Sequence, residues 1–179
     1  PFESRNFSAC FTNCGEIFPA GVTRPTTAPG FIKGFRYLRG KYVADAWHQF
    51  GGSDVHRAED FNEMLQNPEV DVIWCMRGGY GTIRLLDKVD FSVLKQLPKW
   101  LVGFSDITVF HAFLQQKLQI ASIHGPMPKN LDDGHWDDTG MNELWTMLRG
   151  NILSYDIEPH PLNRSGHCKG TLIGGNLTL

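Results

Sequence analysis

The fold is decided by the stretch Val70–Gly81, which reads VDVIWCMRGGYG. Its first seven residues are mostly apolar and rich in β-branched side chains, the composition of a strand buried on both faces of a parallel sheet. Glycines follow directly and mark a turn at the carboxyl end of this strand. Ligands of open α/β sheets bind at that edge, so the stretch predicts both a central strand and a ligand-binding turn.

Helical and strand patterns alternate on either side of this stretch. Ala58, Phe61 and Leu65 recur at helical spacing, and Pro98 resets the chain before a second apolar run. The predicted elements are, in chain order, a helix over Asp54–Gln66, a strand over Val70–Met76, short helical pieces over Thr82–Leu86 and Phe91–Gln96, a strand over Trp100–Phe104, a helix over 107–118, a strand over Ile120–Ile123 and a helix over Thr139–Arg149. This alternation predicts an α/β fold, a Rossmann-like open parallel sheet with right-handed crossovers and helices on both faces.

Two parts of the chain fall outside the alternation. Prolines and glycines interrupt every period in residues 1–38, where only Glu16–Phe18 is predicted as a short strand. After Tyr155 the sequence becomes polar and contains prolines, and a new apolar pattern begins at Gly170. We therefore expect an α/β domain over 1–156, a linker over 157–169 and the truncated start of a second, carboxy-terminal domain over 170–179.

Composition excludes several classes of partner. The chain has 17 Lys and Arg against 19 Asp and Glu, a net charge of −2, and so offers no basic surface for nucleic acid or an anionic membrane. No apolar run reaches about 18 residues and no secretory signal is recognisable, so a cytoplasmic protein is expected. The four cysteines form no C-x-x-C pair and the histidines lack metal-ligand spacing, so we expect no disulfide framework, no metal and no cofactor.

The stretch Gly103–Thr108 carries the first candidate site. Ser105 lies between the end of a predicted buried strand and the first turn of a predicted helix, which is how a nucleophile elbow presents a hydroxyl above a sheet. The amides of the helix then face a developing oxyanion. The pattern is G-x-S-x-I, without the second glycine of the common hydrolase elbow. The alternative is that Ser105 or Asp106 only caps the helix, which these residue types favour.

The second candidate is the glycine-rich turn Arg77–Gly81. Its glycines allow backbone amides to approach a phosphate or a carbonyl oxygen closely. The turn matches neither a Walker loop nor G-x-G-x-x-G. The alternative is a tight turn that needs positive φ, with Arg77 paired to a nearby carboxylate.

Two histidines lie near this predicted edge. His124 ends the third predicted strand, and either a contact with substrate or a hydrogen bond to a loop carbonyl suits that place. His111 follows Ser105 by six residues on the same predicted helix, so its side chain points away from the serine. His111 is therefore a poor base for Ser105.

The motifs together resemble one family. The matching segments are Arg77–Gly81, Pro98–Thr108, Ile123–Pro126 and Ile173–Leu177, supported by Gln49–Gly52 and Arg57–Asp60. In this order they resemble the LD-carboxypeptidase family of serine peptidases, which includes the microcin-resistance proteins. The similarity covers residues 40–179 and is poor over 1–38, where only Ile17–Gly21 matches faintly.

The resemblance implies a hydrolase of cell-wall recycling that removes the terminal D-alanine of murein tetrapeptides through a Ser-His-Glu triad. By correspondence, Ser105 is the nucleophile, the backbone amides of Gly79 and Asp106 are oxyanion donors, and Gly78 belongs to the same substrate-binding loop. Three further residues, Arg77, Tyr80 and His124, are expected near the site. The triad glutamate and histidine of the family belong to its second domain and match no residue here. Because the family often forms dimers, a homodimer is also expected.

Two alternatives to this enzyme remain at the level of sequence. In the first, a nucleotide- or phosphate-binding module holds a phosphate on the loop from Gly78 to Gly81 while Ser105 caps its helix. In the second, a non-catalytic relative keeps the domain for peptide binding or dimerisation.

Overall fold

The computed structural model describes residues 8–12, 30–32, 35–128 and 139–176, with side chains for 36–128 and 139–176. The predicted strand over Glu16–Phe18 lies outside the described residues.

A six-stranded sheet forms the centre of the described structure. Its strands are β1 (Ser8–Thr12), β2 (Gly30–Ile32), β3 (Phe35–Arg39), β4 (Val72–Cys75), β5 (Trp100–Gly103) and β6 (Ile123–His124). The order across the sheet is β2-β3-β1-β4-β5-β6. Every neighbouring pair is parallel except β2 with β3. The predicted α/β fold with a parallel sheet is confirmed, and β2 adds an antiparallel edge.

The helix α1 (Asp54–Gln66) matches its prediction at both ends. Ser53 caps it by accepting a hydrogen bond from the His56 amide at 3.2 Å, and the chain leaves the helix at Asn67 before Pro68. The last helix, α3 (Thr139–Leu148), ends before Gly150, whose φ of +86° is a conformation suited to glycine. Local capping signals placed both ends of α1 and placed the carboxyl end of α3, predicted at Arg149, to within one residue.

The helix after β5 differs from its prediction in form. A 3₁₀ turn over Ser105–Ile107 leads into α2 (Thr108–Phe113), and a π turn over Leu114–Leu118 follows it. The short pieces predicted between β4 and β5 are also 3₁₀ turns, over Thr82–Leu85 and Phe91–Lys95.

The strand predicted over Ile120–Ile123 was placed too early. Gln119 is left-handed at φ +57°, and the Ile120 amide donates to the Leu114 carbonyl at 3.2 Å. Ile120 therefore closes the helix, and pairing with β5 begins only at Ile123.

Apolar side chains cover both faces of the sheet. Ile73 and Cys75 of β4 lie in one core cluster, with Phe61, Phe91 and Phe110. The alternate residues Val72 and Trp74 lie in the other cluster, where the ring of Trp74 meets that of Trp145 edge-on at 5.4 Å. Alternation of side chains along a strand buried on both faces produces these two clusters.

Residues 151–176 follow α3 without regular secondary structure and are mostly exposed. The division into a domain over 1–156, a linker over 157–169 and a second domain from 170 stays a prediction. Among the described residues, no helix combines the length and hydropathy needed to cross a membrane.

Candidate active site

The edge of the sheet formed by β4, β5 and β6 brings the sequence motifs together. Trp74 pairs with Val102, and Gly103 pairs with His124, in a parallel register. The turn after β4, the turn after β5 and His124 therefore leave the sheet at the same edge. This is the edge at which open α/β sheets bind ligands.

Ser105 has an unusual backbone conformation. Its φ is +59°, in the left-handed region that residues other than glycine rarely adopt, and its side chain is only partly buried. Such strain persists where the surrounding structure imposes it, and it is concentrated at functional sites. A sharp, strained turn between a strand and a helix is the geometry of a nucleophile elbow.

The missing second glycine of the elbow is compensated by packing. Ile107 occupies the place of that glycine, and a Cβ on Gly103 would lie only 2.9 Å from Cγ1 of Ile107. Gly103 therefore leaves the space that the Ile107 side chain fills.

The alternative in which Ser105 or Asp106 caps the helix is wrong for this structure. Neither the 3₁₀ turn at Ser105 nor α2 has a side-chain cap at its N-cap position. The buried Asp106 carboxylate instead accepts a hydrogen bond from the Thr82 amide at 2.9 Å. Asp106 thus ties the elbow to the glycine-rich turn.

The glycine-rich turn packs directly on the serine. A Cβ on Gly78 would lie 3.1 Å from the Ser105 Cβ, 3.3 Å from its Oγ and 3.4 Å from the Asp106 amide nitrogen. Gly79 has a φ of +144°, outside the range that other residues readily adopt. Glycine at these two positions allows the backbone of the turn to approach the hydroxyl group.

Arg77 and Tyr80 differ in how far they are buried. Arg77, before the glycines, is half-buried, whereas the Tyr80 side chain at the tip of the turn is 68% exposed. Both belong to the turn whose Gly78 packs on Ser105, and their place near a catalytic site stays a prediction.

A buried arginine contacts the far end of this turn, a role that was not predicted from the sequence. Arg57 is 1% exposed, its Nη1 donates to the Gly81 carbonyl at 3.2 Å and its Nη2 pairs with Asp54 at 2.5 Å. Arg84 also binds Asp54, and its guanidinium, followed by that of Arg57, holds the pKa of Asp54 below its usual value. A charged residue on the same face of α1 as Phe61, four residues later, was the signal available in the sequence.

His111 has hydrogen-bond partners at both ring nitrogens. Its Nε2 lies 2.9 Å from the Gly103 carbonyl and must donate to it, so Nδ1 accepts from the Ser122 hydroxyl at 2.7 Å. Burial lowers the pKa of His111, which keeps the ring neutral. His111 therefore braces the end of β5 and is not available as a base for Ser105.

His124 is exposed at the end of β6 and lies beside the elbow. Its ring centroid is 6.2 Å from that of Phe104, the residue before the serine, and 6.0 Å from that of His111. Among the described residues, no three His, Cys, Asp or Glu side chains are grouped to hold a metal ion.

The fold and this edge define a class, the α/β proteins that present a strained serine beside a glycine-rich turn. The family model for the LD-carboxypeptidase N-terminal domain matches residues 24–125. The chain belongs to the LD-carboxypeptidase family.

Several relatives support this assignment. A probable murein peptide carboxypeptidase of Bacillus subtilis strain 168 is 31% identical over 92% of this chain and 54% of its own length. The solved muramoyltetrapeptide carboxypeptidase of Oxalobacter formigenes has a TM-score of 0.60 and 25% identity over 78% of this chain and 47% of its own. A structure of the microcin C7 self-immunity protein MccF has a TM-score of 0.68 at 24% identity, over 81% of this chain and 45% of its own, and shares the fold. The chain thus spans about half the length of the relatives it matches.

Proposed function

We propose that this chain is the nucleophile-bearing part of a cytoplasmic serine carboxypeptidase that releases the terminal D-alanine of murein tetrapeptides during cell-wall recycling. The observation that carries the proposal is the strained Ser105, at φ +59° and packed against Gly78 at the ligand-binding edge of the sheet. The names of the relatives, a murein peptide carboxypeptidase and a muramoyltetrapeptide carboxypeptidase, support the substrate class.

In the proposed reaction the Ser105 hydroxyl attacks the scissile L,D carbonyl and forms a tetrahedral oxyanion. The amides of Gly79 and Asp106 donate hydrogen bonds to that oxygen. A histidine of the second domain accepts the serine proton and returns it to the departing D-alanine amine, while a glutamate orients the imidazole. Water then hydrolyses the acyl-serine, with the same histidine as base.

Inverted chirality at the scissile bond makes the relative positions of the nucleophile and the oxyanion donors important. A D-residue displaces the carbonyl relative to the position that an L,L peptide presents, so nucleophile and donors must be arranged for that geometry. The close packing of Gly78 on Ser105 supports such an arrangement.

The 179-residue polypeptide alone is expected to have little or no peptidase activity. Serine without a base is a weak nucleophile, and triad members act as a unit. In the full-length protein that carries these residues, Ser105→Ala is expected to abolish release of D-alanine from a murein tetrapeptide without loss of the fold. D-alanine release is measured for both proteins and for the matched control Ser92→Ala, which removes an exposed hydroxyl that bonds only to nearby Asp90.

The proposal fails if Ser105→Ala retains the activity of Ser92→Ala, or if the 179-residue polypeptide alone turns over like a complete enzyme.

Titration with nucleotides and with the tetrapeptide separates the enzyme from a phosphate-binding module. We also propose a homodimer, on the family resemblance alone, to be checked by light scattering.

A further inference from the structure

We propose that Arg57 is a positioning residue for the oxyanion-binding turn, holding the Gly79–Gly81 backbone in register with Ser105 from inside the protein. The inference rests on the proposed function for its kinetic part. Its structural part concerns only the described residues and is tested separately.

The turn is fixed at two consecutive residues. At Gly81 the carbonyl accepts from Arg57 Nη1 at 3.2 Å. At Thr82 the amide donates to the Asp106 carboxylate at 2.9 Å. These two contacts approach the backbone from different elements, α1 and the elbow, so together they restrict the turn more than either contact alone.

The fit around Gly81 shows how closely Arg57 approaches. A Cβ on Gly81 would lie 2.7 Å from Arg57 Nη1 and 2.9 Å from Cδ1 of Phe50. The Phe50 ring also lies near two guanidinium groups, with its centroid 5.4 Å from Arg57 Cζ and 5.2 Å from Arg84 Cζ. Glycine at position 81 thus makes room for the buried guanidinium.

Arginine suits this role because its planar guanidinium carries several donor nitrogens in a fixed geometry. One nitrogen of Arg57 binds the Gly81 carbonyl while another pairs with Asp54. A lysine presents a single nitrogen and cannot span both partners in one plane. The turn is therefore positioned by Arg57 itself, which spans from Asp54 on α1 to the Gly81 carbonyl.

The consequence for catalysis is a change in kcat more than in KM. A displaced turn moves the Gly79 amide away from the oxyanion, which develops only in the transition state. Arg57→Met, which keeps the packing of the stem, is expected to lower kcat for D-alanine release by roughly 10-fold or more with KM changed much less. Arg57→Lys is expected to recover only part of that loss.

The matched control is Arg84→Met, which removes the other guanidinium on Asp54 and near Phe50 but leaves the Gly81 contact intact. It is expected to leave kcat within about 2-fold of wild type, because an exposed ion pair contributes little. Melting temperatures of all variants are recorded, and Gly81→Ala is the second variant if Arg57→Met does not fold. The added methyl group should displace the guanidinium and give the same kcat loss.

Hydrogen exchange of residues 78–82 in the 179-residue chain tests the structural part without any activity. Faster exchange there in Arg57→Met, with Arg84→Met unchanged, is the expected result. Unchanged exchange in Arg57→Met, or a wild-type kcat in an active full-length variant, overturns the inference. A full-length wild-type protein that releases no D-alanine contradicts the proposed function alone, and the exchange result still decides the positioning role.

Discussion

Strain at Ser105 has a measurable effect on stability. The left-handed conformation at φ +59° costs any L side chain free energy that glycine does not lose. Ser105→Gly is therefore expected to be more stable than Ser105→Ala by about 1 kcal/mol, after allowance for the greater freedom of glycine in the unfolded chain. Denaturant unfolding of the two variants gives the difference.

Alanine is the right reference because it also lacks the hydroxyl group but keeps the Cβ. If Ser105→Gly is equal to or less stable than Ser105→Ala, the backbone at this position is not strained. The interpretation of this turn as a nucleophile elbow would then lose its main structural evidence.

At the scale of elements, a buried carboxylate joins α1 to the turn that follows β3. Both oxygens of Asp60 accept from the Tyr42 amide, at 3.1 and 2.9 Å, and Asp60 is 1% exposed. A Cβ on Gly40 would collide with the same carboxylate. Burial, and to a lesser degree the nearby Glu63 and Glu59, raises the pKa of Asp60 to about 6.

This shift predicts how stability depends on pH. Between about pH 4 and pH 6 the folded protein holds a proton on Asp60 that the unfolded chain has released, so stability falls as the pH rises through this window. Asp60→Asn, which keeps an oxygen for the Tyr42 amide, is expected to lose that dependence. The difference in unfolding free energy between the two proteins should change by on the order of 2 kcal/mol over the window.

Denaturant titrations at a series of pH values, with both proteins side by side, measure the effect. His111 contributes the opposite sign, since its lowered pKa makes stability fall as the pH drops below the usual value of histidine. His111 is present in both proteins, so its contribution cancels in the difference. A constant difference from pH 4 to pH 6 would show that Asp60 has an ordinary pKa.

Elements whose signals are local were predictable from the sequence. The Ser53 cap, the apolar spacing and Pro68 lie within a few residues of α1, and they placed both of its ends. The start of β6 was misplaced because Ile120 ends the π turn, where its amide donates to the Leu114 carbonyl, and does not pair with β5. The π turn is formed by i to i+5 hydrogen bonds, which the apolar spacing of the sequence does not reveal. The antiparallel pairing of β2 is a contact between segments with no period of their own.

The candidate site was predictable in part because two of its motifs are also local in the sequence. Ser105 and the glycine-rich turn are contiguous motifs, and parallel strand order brings them to one edge. The tie from Asp106 to Thr82 and the placement of Arg57 under Gly81 each span 24 residues. Such contacts depend on how α1 and the elbow pack against the turn. A short sequence pattern does not predict that packing.

At the scale of the whole molecule, the expected domain boundary near residue 156 can be tested by truncation. Ile157, Leu162 and Leu172 are each more than four-fifths exposed. The hydrogen bonds found in 157–169 are local, with the amides of Leu162 and Asn163 donating to His160. A chain ending at Asp156 is expected to unfold within about 0.5 kcal/mol of the 179-residue chain, because removing exposed residues changes few contacts.

Urea unfolding of the two chains checks this prediction, and binding of a fluorescent apolar dye should decrease in the shorter one. The shorter chain keeps Tyr155, whose hydroxyl donates to Glu143 of α3 at 3.0 Å. A loss of several kcal/mol would mean that residues 157–179 belong to the first domain.

Asp54 pairs with one arginine that is fully enclosed and another whose side chain is 52% exposed. Dissolved ions screen charges that water reaches and have much less influence on enclosed ones. A rise in ionic strength therefore weakens the grip of Arg84 first and leaves that of Arg57 in place. If Arg57 positions the turn as proposed, the alignment of the turn is expected to depend little on ionic strength.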